Sequence, residues 1–67
     1  MIKIYRTDAK GQPYYEDGNN IYLMVHSILS IRQENDILEI LIHGAGAYFT
    51  TTPLTEIIDM INTGKQK

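Results

Sequence analysis

With 67 residues, 43% of them hydrophobic and 21% charged, and a net charge of -2, the chain reads as one domain spanning residues 1–67 that is too apolar for a disordered tail. A chain of this length buries only about 60% of the surface its unfolded form exposes, which excludes a large enclosed active site. A pI near 5.5 and scattered charges argue against nucleic acid as partner, since nucleic-acid binders cluster Lys and Arg against phosphates.

Met1 to Arg6 alternates Ile2 and Ile4 with Lys3 and Tyr5, the pattern of a strand with one buried face. Thr7-Asp8-Ala9-Lys10-Gly11 carries turn chemistry. Gln12 to Glu16 is expected to return beside the first strand as a short aromatic strand, with Pro13 at an edge because it cannot donate to a ladder. Asp17-Gly18-Asn19-Asn20 is a second turn. Ile21 to Val25 fits both strand and helix; its β-branched residues favour an extended stretch, followed by a firmer strand over Ser27 to Gln33.

Glu34-Asn35-Asp36 is a polar turn before a strand, Ile37 to His43, whose Leu38, Ile40 and Ile42 face one way and whose Ile37, Glu39 and Leu41 face the other. Gly44-Ala45-Gly46 then closes a hairpin onto Ala47 to Thr51. After this the period changes. Thr52 is expected as N-cap and Pro53 as first helical residue, with Leu54, Ile57, Ile58 and Ile61 forming a buried stripe and Gly64 ending the helix. The expected fold class is α+β: a small antiparallel sheet of about four strands with a C-terminal amphipathic helix packed on one face.

A helix on one face leaves the other to be covered. Ile37, Leu41 and Tyr5, with Tyr48 or Met24, are expected to project there, and exposed apolar surface of that kind marks a contact site. A homodimer, formed sheet to sheet or by edge pairing, is the expected remedy for so small a core; a sheet curled into a small barrel is the alternative. Tyr14 and Tyr15, between two polar turns, supply large contact area at low entropic cost. Tyr14, Tyr15, Tyr5, Ile37 and Leu41 are therefore the candidate partner-binding residues.

Catalytic and metal chemistry find little support in the residue pattern. His26 and His43 are the only histidines, 17 positions apart, with no third ligand at a diagnostic spacing. The Gly44-Ala45-Gly46 segment lies between strands, whereas phosphate-cradling loops open a helix. No cofactor is expected. The absence of cysteine removes disulfides, thiolate zinc sites and a cysteine nucleophile and suits a cytoplasmic protein. The apolar runs Ile21 to Val25 and Ile40 to Ile42 fall well short of the roughly 20 residues of a spanning helix, so membrane insertion is not expected. No signal-peptide pattern opens the chain either.

Met1 to Arg6 with its glycine-containing turn, Ile28-Leu29-Ser30-Ile31, the Asn35-Asp36 turn, Ile37 to Ile42 with its glycine turn, an aromatic strand and the helix built on Glu56-Ile57-Ile58-Asp59-Met60-Ile61 follow one another in an order that resembles the small FlbD-like proteins encoded with flagellar genes. An added stretch around Asn19 to Val25 and Thr52-Pro53 at the helix start depart from that pattern. The resemblance implies a non-enzymatic cytoplasmic accessory protein acting on motility through a protein partner. The expected function is accordingly a small interaction module or accessory protein. The alternative is a nucleic-acid-binding regulator, of bacterial or phage origin, whose dimer would gather Lys3, Arg6 and Arg32 onto one surface.

Overall fold

The computed structural model of the protein describes residues 1–65. The chain runs β1 (Ile2–Thr7), β2 (Asn20–Leu23), a 3-10 turn (Val25–Ser27), β3 (Ile28–Glu34), β4 (Ile37–Ile42), β5 (Gly46–Thr50) and α1 (Leu54–Lys65). The five strands form one antiparallel sheet in the order β2-β1-β5-β4-β3, with α1 packed against it, an α+β arrangement with one strand more than expected. Among the described residues, no helix is long and apolar enough to cross a membrane.

The second half follows its local signals. β4 alternates as its residues dictate, with Leu38, Ile40 and Ile42 buried and Leu41 exposed. Asn35 takes a left-handed φ of 58° in the β3–β4 turn, a conformation that asparagine tolerates. The β4–β5 hairpin closes through His43-Gly44-Ala45, where Ala45 N donates to Ile42 O (3.2 Å) and Gly44 and Gly46 take left-handed φ of 81° and 82°, a conformation glycine adopts readily.

The first half differs from its expected pairing. The partner of β1 is β2, in the register Ile2↔Leu23 to Tyr5↔Asn20, whereas the Gln12 to Glu16 segment makes only an isolated bridge, Thr7↔Pro13. Proline has no N–H, so that bridge is carried by its neighbours: Tyr14 N donates to Arg6 O (3.3 Å) and Asp8 N to Gln12 O (2.8 Å). The stretch that fitted both strand and helix divides between the two, as strand to Leu23 and 3-10 turn from Val25.

The sheet cannot be flat. Its edge strands β2 and β3 are joined by four residues, Met24 to Ser27, while five flat strands at about 4.8 Å spacing would hold the edges about 19 Å apart. Five extended Cα steps reach at most about 18 Å, and the 3-10 turn shortens that further. The sheet therefore curls, and Ile2 and Ile4 of β1, Leu23 of β2 and Leu38, Ile40 and Ile42 of β4 share one core although β5 separates β1 from β4. The register Ile40↔Tyr48 puts Tyr48 on the buried face, against that core, rather than on an uncovered outer face.

Helix α1 packs against β1, where Lys3 N meets Met60 Sδ at 3.4 Å. Its buried stripe is Ile57 with half-buried Leu54, Met60 and Ile61, while Ile58 is 46% exposed. Helical spacing puts Ile58 in the expected stripe, but one strand is a narrower support than a sheet face, and a residue about 100° around the helix from Ile57 misses it. Pro53 O accepts from Glu56 N and Ile57 N (3.1 and 3.2 Å), so Pro53 holds the cap position and the helix begins one residue later than expected. The helix backbone also continues through Gly64 instead of stopping there.

The hydroxyl of Thr52, expected to cap α1, accepts instead from Tyr5 N (2.9 Å). Thr50, fully buried, donates to Tyr5 O (2.7 Å) and accepts from Thr52 N (3.0 Å). The β1–β5 ladder contains only Arg6↔Thr50 and Thr7↔Phe49. The two threonine side chains extend it by satisfying both main-chain groups of Tyr5, where the strands diverge to admit α1.

Candidate functional site

Alternation along β1 puts Arg6 on the same face as Ile2 and Ile4, the buried one. A guanidinium directed toward a core needs partners, and aromatic rings supply them. Its Cζ lies 3.8 Å from the ring centroid of Tyr14, 4.5 Å from that of Tyr48 and 5.4 Å from that of Tyr15. Nη1 donates to Tyr15 Oη at 2.7 Å, and Tyr14 meets Tyr15 edge to face at 4.9 Å. Cation–π contacts of this kind contribute about 0.5–1 kcal/mol each at exposed sites. Among the described residues, no carboxylate lies within salt-bridge distance of Arg6; the one ion pair is Arg32 with Glu39 at 3.6 Å.

The loop that carries the two tyrosines is fixed by Asn19. Asn19 is 4% exposed; its side chain accepts from Tyr15 N (2.7 Å) and donates to Tyr15 O (3.1 Å), while its main-chain carbonyl accepts from Arg6 N (2.7 Å). One residue thus holds the backbone of Tyr15 and that of Arg6 together. At the other end of the loop, Asp8 Oδ1 accepts from Lys10 N and Gln12 N (2.8 and 3.0 Å). Those amides, that of Gln12 foremost, hold the Asp8 carboxyl below its ordinary pKa.

The remaining candidate residues are distributed around the molecule. Tyr5, half-buried, lines a groove of about 520 Å³ between β1 and α1 together with Lys3, Glu56 and Asp59. Ile37 is half-buried beneath the first loop, with its Cδ1 against the position a Gly11 side chain would take. Leu41 is 40% exposed on the outer face of β4, and Met24 is exposed beside β2. The three cations of the alternative reading have different surroundings: Lys3 borders the carboxylates of α1, Arg6 is ringed by tyrosines, and Arg32 pairs with Glu39. His26 and His43 are both exposed, and no group of three or more His, Asp or Glu converges among the described residues.

Asn19 lies outside the expected site residues, and Arg6 is expected only as a nucleic-acid contact of the alternative. Asn19 had no distinguishing mark, because Asp17-Gly18-Asn19-Asn20 consists of turn residues throughout. Arg6 did carry a signal: in the period of Ile2 and Ile4 it continues the buried face, and a buried-face arginine requires a partner. No family model, curated protein or solved structure matches this chain, so its functional reading rests on the geometry of this cluster.

Proposed function

We propose that the chain is a small, non-enzymatic interaction module that binds a protein partner through the surface carrying Tyr14 and Tyr15. The observation supporting this is that the two rings are 52% and 45% exposed yet anchored by Arg6 and Asn19. A rigid, half-exposed aromatic pair presents contact area whose conformational entropy is already restricted, the property that enriches tyrosine at interfaces. A cytoplasmic accessory role of the kind implied by the FlbD-like resemblance belongs to the same proposal.

Affinity capture with the wild-type protein, Tyr14→Ala and Tyr15→Ala tests it. A partner retained by the wild type and lost from both variants, each still folded, is the expected result. Equal retention by all three removes the tyrosines from the interface. The homodimer is a further part of the proposal. The side chains of Tyr22, Met24 and Leu29, which are 57–65% exposed on the two edge strands and the link between them, are where it would form. Sedimentation equilibrium of Leu29→Lys against wild type tests this, with a wild-type monomer as the contrary outcome.

A further inference from the structure

We infer that the partner segment recognised at this site is an extended acidic peptide, which pairs with the open edge of β5 at Ala47 and offers a carboxylate to Arg6. This rests on the interaction reading above and specifies its ligand. Arg6 N and O are engaged by Asn19 and Tyr14, so the alternation of β1 turns Tyr5 and Thr7 toward β5. Thr7↔Phe49 is therefore the pair that exchanges main-chain hydrogen bonds, and it ends the ladder. Two residues further along, Ala47 directs its N–H and C=O to the same side. There β1 has already turned away at Asp8, so no strand lies opposite Ala47.

Ala47 and Arg6 border one hollow of about 190 Å³, with Tyr14, Tyr48 and Phe49 as its aromatic walls. Such an edge accepts an added strand through main-chain bonds, and the neighbouring side chains determine which strand. The determinant here is Arg6. One guanidinium N–H is used by Tyr15 Oη, no carboxylate among the described residues pairs with it, and the remaining donors of the planar fork suit a carboxylate. Asp8, which borders the same hollow, has Oδ1 turned onto its own loop amides.

The test uses the full chain and two fluorescein-labelled peptides, one alternating Val and Glu and the other alternating Val and Gln. Fluorescence anisotropy gives their affinities, and amide NMR gives the point of attachment. We expect the Glu peptide to bind at least tenfold more tightly, its binding to weaken with salt, and the Ala47 amide to shift and gain exchange protection. Arg6→Gln is expected to equalise the two peptides, and Ala47→Pro, which removes an outward N–H at a free edge, to abolish binding of both.

If Arg6→Gln does not fold, the wild-type comparison of the two peptides still decides the matter. Equal affinities, no binding of the Glu peptide, an unperturbed Ala47 amide, or displacement of the Glu peptide by oligothymidylate each overturns the inference. Any of these together with a captured partner that still depends on Tyr14 and Tyr15 leaves the interaction reading intact. Failure of that tyrosine dependence rejects the broader reading separately.

Discussion

Thr50→Val is the most informative single substitution for the fold. The two side chains are nearly isosteric, so no cavity opens at this fully buried position, and what is lost is a donor to Tyr5 O at 2.7 Å and an acceptor for Thr52 N at 3.0 Å. Each hydrogen bond contributes about 0.5–1.5 kcal/mol net, with a larger penalty if its partner is left buried and unpaired. Together the two predict a loss of about 2 kcal/mol. At about 4–8 °C per kcal/mol for a domain of this size, the thermal midpoint should fall by about 8–16 °C. Urea denaturation followed by circular dichroism measures the free energy directly, with the slope expected to stay unchanged. Thr50→Ser is the control, since it keeps both bonds and loses one methyl, at about 1 kcal/mol. A Thr50→Val protein within about 0.5 kcal/mol of wild type, or a serine variant as damaged as the valine one, would refute the role of this hydroxyl in joining β1 to β5; ordinary surface changes fall within that margin.

Asn19→Ala removes both side-chain bonds to the Tyr15 backbone. It should lower stability by about 1–3 kcal/mol and broaden the Tyr14 and Tyr15 ring resonances; sharp, unshifted resonances would contradict its anchoring role. Gly11→Ala forces a side chain into φ 89° with its Cβ 3.3 Å from Ile37 Cδ1, and chemical denaturation should show a loss of about 1–2 kcal/mol. Asp8, with its folded pKa depressed, contributes stability that is present above its unfolded value near 3.9 and is lost as pH falls through the lower folded value. Carboxyl NMR should give an Asp8 midpoint below the ordinary aspartate range, and in Asp8→Asn the acid-side loss of stability should be smaller than in wild type. A midpoint at or above that range rejects the amide cradle.

The elements legible in the residue pattern are those whose cause is local. The alternation of Leu38, Ile40 and Ile42 fixes the buried face of β4, the glycines after His43 allow the hairpin, and the change of period after Thr52 marks a helix. These signals act within a few residues, and tertiary contacts reinforce them. Strand pairing and core burial settle what local periodicity leaves open. The Gln12 to Glu16 stretch has the composition of a strand, yet β2 takes the place beside β1, because pairing there brings Leu23 into register with Ile2 and buries it in the common core. The four-residue link between the sheet edges then imposes the curl, while the β4–β5 register sets Tyr48 on the face of Ile40, against the core. Arg6, Tyr14, Tyr15 and Tyr48 are read from the sequence as a strand cation, a loop aromatic pair and a hairpin aromatic. They become one cluster because strand pairing and a buried asparagine bring distant positions together, and that convergence is a property of the folded sheet which no spacing along the chain encodes.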